Sequence, residues 1–133
     1  MPMFYAGQLD YLSWLNIVGG KNAKTTFTAN ATSTKTLDLS AGHVFVLNVS
    51  GTSQVTTLAL ANKPPSGTPW EITVYVNYIS GTGNSIVWPT NTTWGGNSTT
   101  LTGTAGTTDV FKLFSQDSGA TYYGQAIGKG YTT

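Results

Sequence analysis

The chain has 133 residues, enough for one hydrophobic core, and its single Glu and lack of Arg beside 24 Thr, 16 Gly, 11 Ser and 9 Asn exclude helical bundles and coiled coils. A formal net charge of +1 with scattered lysines produces no field that would attract a polyanion, so nucleic acid is not a predicted partner. The absence of cysteine excludes disulfides and thiolate zinc sites, and no stretch approaches the roughly 20 apolar residues that span a membrane.

Residues 1–20 form a distinct apolar arm. Its large apolar residues are Phe4, Tyr5, Leu9, Tyr11, Leu12, Trp14, Leu15, Ile17 and Val18. The segment is too apolar for a free tail, so we expect it to pack either on its own domain or on a neighbouring subunit. It lacks the basic start of a secretory signal, which predicts synthesis in the cytoplasm without cleavage.

The remainder, residues 21–133, is predicted to be a single β-domain. Residues 21–36 form a polar connector that can hold an edge strand, and apolar and polar residues then alternate in Val44–Val49. Gln54–Leu60 follows across the short turn-rich segment 50–53, which predicts a hairpin. Trp70–Ile79 is the longest strand candidate, with one apolar and one wetter face.

Further strands are predicted toward the C-terminus. Ser85–Trp88 is a short strand that ends before Pro89, and Asp109–Ser115 and Thr121–Ile127 flank a turn that contains Asp and Gly. About seven to nine short antiparallel strands separated by turns indicate an all-β fold of the β-sandwich or jelly-roll type, with an apolar N-terminal arm. No internal sequence repeat is evident.

Few residues offer catalytic chemistry. The single histidine, His43, follows Gly42 at the start of a strand and is interpreted as a partly exposed structural residue. Asp109 and Asp117 lie on one hairpin and could form a glycosidase pair, but Asp117 lies in the turn, where its carboxylate is expected to accept backbone N–H bonds. We therefore predict no catalytic residue, no metal site and no cofactor.

Several aromatic residues lie at strand ends or in loops, among them Trp88, Trp94 and Tyr123. Aromatic rings in such places stack on sugars or anchor protein interfaces. They can equally close the open ends of a sandwich. The sequence leaves both interpretations open.

Two stretches resemble structural modules of tailed bacteriophages. Residues 86–124 contain a strand that ends in Trp-Pro, a second Trp with glycines, a Leu-Thr turn, an aspartate that opens an aromatic strand, and a D-x-G turn. Residues 37–49, LDLSAGHVFVLNV, are similar to the opening of the same modules. The resemblance covers roughly residues 30–130, although the loop after Trp94 lacks the proline often found before the Leu-Thr turn.

The resemblance implies a virion protein of one of two kinds. Such modules occur as capsid decoration (cement) proteins, which sit as homotrimers over junctions of the major capsid protein, and in tail fibres, which bind host surfaces. A chain of 133 residues that starts at Met1 has no room for a fibre shaft, which favours a decoration protein on the outside of the capsid. We expect it to stabilise the shell by bridging neighbouring capsid subunits.

The two interpretations use different residues. The decoration protein would contact capsid or sister subunits through arm residues, namely Phe4, Tyr5, Leu9, Leu12, Trp14 and Leu15. The alternative, a tail-fibre or receptor-binding module, would recognise host surface glycans through loop aromatics, namely Trp88, Trp94 and Tyr123.

Overall fold

The computed structural model describes residues 23–96 and 99–132, so the predicted arm and its interface residues lie outside the described part of the chain. Nine strands are present there. They are β1 (Lys24–Ala29), β2 (Ser33–Asp38), β3 (Val44–Val49), β4 (Val55–Ala61), β5 (Trp70–Tyr78), β6 (Ser85–Val87), β7 (Thr92–Trp94), β8 (Thr107–Ser115) and β9 (Tyr122–Thr132).

The first six strands wind into a β-solenoid of about three turns. Strands β1, β3 and β5 are parallel neighbours in one sheet, and β2, β4 and β6 are parallel neighbours in a second sheet. Each coil therefore contributes one strand to each sheet. The all-β class is confirmed, but the predicted antiparallel sandwich or jelly roll is wrong.

The predicted hairpin across residues 50–53 shows why the arrangement was missed. Its two strands, β3 and β4, belong to different sheets, so this segment is a corner between sheets. Corners of successive coils lie in close contact. The corner at Gly81 is so near the previous one that an added Cβ would collide with the backbone carbonyl of Gly51. Both glycines have positive φ, 85° at Gly51 and 83° at Gly81, which glycine adopts without penalty.

Inward-facing side chains form columns that run through the coils. Phe45 and Val74 are register partners on β3 and β5, and Phe111 continues the column on β8. All three are fully buried. The alternation predicted for residues 70–79 is confirmed, since Ile72 and the other inward residues of β5 are buried while Glu71 on its outer face is exposed. These columns form the hydrophobic core.

The three C-terminal strands extend the first sheet through both parallel and antiparallel pairs. Strand β8 is antiparallel to β5 and β9, and β7 runs parallel to β9. The hairpin predicted around residues 116–120 is confirmed, and Asp117 Oδ1 accepts the Gly119 N–H at 2.8 Å, as expected. The positive φ of this turn lies at Ser118 (56°) instead of the glycine.

The coils repeat in structure but not in sequence. Lys24 on β1 is the register partner of Val44, 20 residues later, whereas Val44 is the partner of Thr73, 29 residues later. The second coil contains the proline-rich loop 62–69 between β4 and β5, which accounts for its greater length. A variable coil length leaves no fixed period to detect.

Candidate functional site

Trp88 and Trp94 pack together against the core. Trp88 follows β6 and Trp94 ends β7, and their ring centroids are 5.0 Å apart with an edge-to-face geometry. Both rings also contact Phe111, at 4.8 Å and 6.0 Å. Phe111 is fully buried and the two indoles are partly buried. We call Trp88, Trp94 and Phe111 the aromatic plug, because the two indoles pack on Phe111 against the core next to the C-terminal strands.

The backbone of β9 is shaped to accept this plug. Gly124 is the register partner of Trp94, and a Cβ on Gly124 would lie 2.8 Å from atoms of the indole ring. Only glycine leaves room for the ring at this position. The structure therefore gives Trp88 and Trp94 a packing role of the kind considered for them from the sequence.

Tyr123 occupies the opposite face of β9. Its neighbours Tyr122 and Gly124 are buried, so the alternation turns Tyr123 outward. There it contacts Phe114 on β8, with ring centroids 5.6 Å apart. A groove of about 390 Å3 runs along these residues and Thr93, with Gln125 on its wall. We call it the Phe114–Tyr123 groove.

The three residues predicted as one glycan contact therefore lie on different surfaces. The Phe114–Tyr123 groove contains only Tyr123 of the three, and Phe114 was not singled out from the sequence. The register of β8 and β9 places Phe114 directly opposite Tyr123. The sequence does not determine this register until the residues of the hairpin turn are known. A pair of aromatic rings beside an amide and a hydroxyl can stack on a sugar and hydrogen-bond to it.

Trp88 lines a second groove of about 400 Å3 on the side of the second sheet. Lys63 lies in its wall, where the ammonium donates to the Tyr122 hydroxyl at 2.7 Å and stands 5.0 Å from the ring centroid. Tyr122 in turn packs on Trp70, with centroids 5.5 Å apart. The one cation of this wall is thus engaged by an aromatic residue of β9.

Asp109 is a fully buried carboxylate on β8, the strand that also carries Phe111 of the aromatic plug. It accepts hydrogen bonds from the Tyr78 hydroxyl (2.9 Å), the Thr102 N–H (2.8 Å), the Thr102 hydroxyl (2.6 Å) and the Gly130 N–H (2.8 Å). It thereby ties β5, the loop before β8 and the end of β9 together. Four donors satisfy the carboxylate without a cation.

These bonds decide the ionisation of Asp109. Burial raises the pKa of a carboxyl group, but the hydrogen bonds from Thr102, Gly130 and Tyr78 outweigh that effect and lower the pKa of Asp109 below its ordinary value. Burial and the adjacent carboxylate raise the pKa of Tyr78 far above its ordinary value, so the phenol remains a donor. Asp109 is a structural anion.

The two predicted carboxylates of the hairpin do not meet. Asp109 lies near the start of β8 and Asp117 beyond its end, so about 20 Å of extended strand separates them at roughly 3.3 Å per residue. His43 is partly exposed, as expected, and its carbonyl accepts the Thr73 N–H at 2.9 Å. Neither arrangement brings a base to a nucleophile.

Within residues 23–96 and 99–132, no three His, Asp or Glu side chains cluster as metal ligands would. A search of the same residues finds no helix of sufficient length and apolarity to cross a membrane. Comparison with known proteins finds no matching family model, no similar curated protein and no similar solved structure.

Proposed function

We propose that this protein is a virion structural protein of the capsid decoration type, which attaches to a phage head through its N-terminal end and bridges neighbouring capsid subunits. The observation that carries the proposal is that the two ends of the solenoid are built differently. Its C-terminal end carries the aromatic plug and the hydrogen-bonded Asp109 carboxylate, whereas Phe27 at the other end is only partly buried. The terminal strands at both ends, β1 and β2 on one side and β7 and β6 on the other, each have one strand neighbour among the described residues. Residues 1–22, which include the apolar arm, precede β1 in the chain.

The arm supplies the binding energy in this proposal. A buried aromatic residue removes about 150–250 Å2 of surface from water. At about 25 cal/mol per Å2, each of Phe4, Tyr5 and Trp14 would contribute on the order of 4–6 kcal/mol before the cost of ordering the arm. The partners are the major capsid protein and sister copies, with a homotrimer expected from the resemblance to phage modules. No catalytic step or cofactor is part of the proposal.

The test is reconstitution on shells. Purified protein is mixed with phage heads that lack their decoration protein, imaged by electron microscopy, and heated. Ordered density at capsid subunit junctions and fewer ruptured heads are expected. The Leu12→Asp/Leu15→Asp variant should leave the heads bare, while Ile79→Asp/Ile127→Asp, which changes two exposed residues of the solenoid, should bind normally. Bare heads with the unaltered protein would overturn the proposal.

The Phe114–Tyr123 groove favours receptor binding as a second candidate function. It presents two aromatic rings, Gln125 and Thr93 on the outer face of β8 and β9, beside the Lys112–Glu71 ion pair. Binding to a glycan array that is lost in Tyr123→Ala would support it. Binding that survives Tyr123→Ala, or no binding to any glycan, would count against this groove. Trp94→Ala is not a clean test here, because that ring belongs to the aromatic plug.

A further inference from the structure

The groove beside the second sheet carries an exposed cation. We call it the Lys63–Trp88 groove; its volume is about 400 Å3, and Lys63, Trp88 and Tyr122 line it. Lys63 is exposed, and its ammonium has no carboxylate partner among the described residues, in which an ion pair joins Lys112 to Glu71. Cavities of this size with a few convergent polar groups are typical of small-ligand sites. The charge of Lys63 is therefore available to an anion.

The Lys63 ammonium and the Tyr122 hydroxyl form a pair of adjacent donors. Lys63 Nζ donates to Tyr122 Oη at 2.7 Å, which uses one of the three ammonium donors and leaves two. The Tyr122 hydroxyl accepts this bond, and its own proton has no acceptor among the described residues. Tyr122 is only 9% exposed, so leaving that proton unpaired costs free energy. An N–H and an O–H donor on atoms this close suit the two oxygens of one carboxylate.

Hydrogen bonds on both sides of Lys63 hold the loop that carries it. Asn62 donates from Nδ2 to Asp38 Oδ1 at 2.9 Å, and the Pro64 carbonyl accepts the Ser118 hydroxyl at 2.7 Å. These bonds fix the loop to the second sheet on one side and to the turn before β9 on the other. The ammonium is thus positioned before a ligand arrives, which reduces the entropic cost of binding.

The rest of the groove suits the ring of a sugar. Trp88 provides an aromatic wall, and Thr57, Thr90 and Asn91 contribute hydroxyl and amide groups to the lining. An aromatic ring packs on the apolar face of a sugar, while hydroxyls and amides hydrogen-bond to the sugar hydroxyls. An acidic side chain of a protein would use the donor pair but not this lining. A single ammonium also matches one carboxylate better than the many charges of a densely sulfated chain.

We propose that the Lys63–Trp88 groove binds a carboxylated sugar, such as a uronic or sialic acid unit of a polysaccharide. The carboxylate accepts hydrogen bonds from Lys63 Nζ and Tyr122 Oη, and the sugar ring lies against Trp88. The site is separate from the Phe114–Tyr123 groove, because Tyr122 and Tyr123 alternate across β9. It is also independent of the proposed attachment to phage heads.

Calorimetric titration of the full chain with two acidic probes tests the site. The probes are a galacturonic acid tetramer and sialyllactose, and their methyl esters are the controls, since esterification keeps the sugar ring and removes the charge. At least one acid is expected to bind about tenfold or more tightly than its ester, and its binding should weaken as salt is added.

Substitutions locate the binding within the groove. Lys63→Met removes the cation and keeps an unbranched side chain, so it should weaken binding at least about tenfold. Tyr122→Phe removes only the hydroxyl and should weaken binding about three- to tenfold. Lys24→Met, which changes another exposed lysine, and Tyr123→Ala, on the other face of β9, are matched controls and should bind as the unaltered protein does. Urea unfolding verifies that each variant is folded.

Several results would overturn the proposal. One is that neither acid binds, or that each acid binds no more tightly than its ester. Another is binding that survives Lys63→Met, which would place it elsewhere on the protein. Tighter binding of a tetraglutamate peptide or of a sulfated tetramer would assign the groove to an acidic protein or to sulfate. The head-binding assay changes Leu12 and Leu15 instead, so either proposal can fail without the other.

Discussion

The two ends of the solenoid are built differently. At the C-terminal end, an antiparallel hairpin extends the first sheet, two indoles pack on Phe111, and a buried carboxylate joins three segments. At the N-terminal end, no described strand extends β1 or β2 and Phe27 is only partly buried, although β7 and β6 at the other end are likewise edge strands. A solenoid has no intrinsic end, because every coil offers the next one the same edge. Each end must therefore be finished by residues outside the repeating coils.

This difference predicts how much each end contributes to the stability of the protein. The closed end uses aromatic residues that are already engaged with one another, so its stability should depend strongly on them. At the other end, Phe27 is the large aromatic residue of the first described coil and is only partly buried, so a smaller share of the stability should depend on it. Substitutions at both ends examine this contrast.

The largest effect is expected at the base of the aromatic plug. Phe111→Ala removes a fully buried ring beneath both indoles and should lower the free energy of unfolding by about 3–5 kcal/mol in urea titration. Phe27→Ala at the first coil should lose roughly half as much, because its ring is only partly buried. Equal losses would show that the first coil is as tightly covered as the closed end. If the alanine variant does not fold, the loss in the free energy of unfolding is measured with Phe111→Leu instead.

Asp109→Asn should have the next largest effect. The amide keeps the shape of the side chain but presents an NH2 group to donors, which leaves buried N–H or O–H groups unpaired and costs about 2–4 kcal/mol. Unfolding by urea at neutral pH measures it. A loss below about 1 kcal/mol would mean that the carboxylate does not hold the three segments together.

The same substitution gives a pH dependence with a defined sign. Because the pKa of Asp109 is lowered by folding, its contribution is complete above the ordinary Asp pKa of about 3.9 and is lost as the pH falls through the lower folded value. The unaltered protein should lose stability on acidification below about pH 4, and Asp109→Asn should lose less. Asp38, whose pKa is also lowered by hydrogen bonds from Ser40 and Asn62, remains in both proteins. Parallel acid titrations of the two would argue against this role.

Gly124→Ala tests the fit between β9 and the plug. The added methyl group would meet the Trp94 ring at 2.8 Å, and the displacement should cost about 1–3 kcal/mol in thermal or urea unfolding. Gly95→Ala is the matched control, since a Cβ there has no neighbour within 4 Å and φ is not positive, and it should change little. Equal effects of the two would place the cost in the backbone instead of the ring.

The smallest effect is expected at Lys35. Lys35 is partly buried, and Lys35→Met removes its cation while keeping an unbranched side chain, so the free energy of unfolding should change by less than about 1 kcal/mol. Leu58→Lys, in the same column one coil further in, should unfold the protein because Leu58 is buried. If Leu58→Lys were also tolerated, water would have access to the whole core, and the contrast between the ends would not hold.

Local patterns identified most of the strands. The alternation in Val44–Val49 and Trp70–Tyr78 and the Asp-Gly turn after Ser115 were read correctly, because these features depend on neighbouring residues. The candidate site was read less well. Trp88, Trp94 and Tyr123 were grouped because they were predicted at strand ends or in loops, but alternation along β9 puts Tyr123 on the other face of the sheet. Phe114 and Asp109 acquire their roles only through partners on other strands.

By itself, the sequence determined that the chain folds as short strands with glycine-rich corners, since side-chain alternation and turn chemistry are local properties. Only the tertiary structure decided that β3 and β4 pair with strands of other coils instead of with each other. An alternating strand has the same pattern in a parallel and an antiparallel sheet, so the choice depends on whether the connecting residues fold back or turn a corner. Here the stacked glycine corners at Gly51 and Gly81 turn the chain into a second sheet, and that geometry exists only when the coils lie on one another.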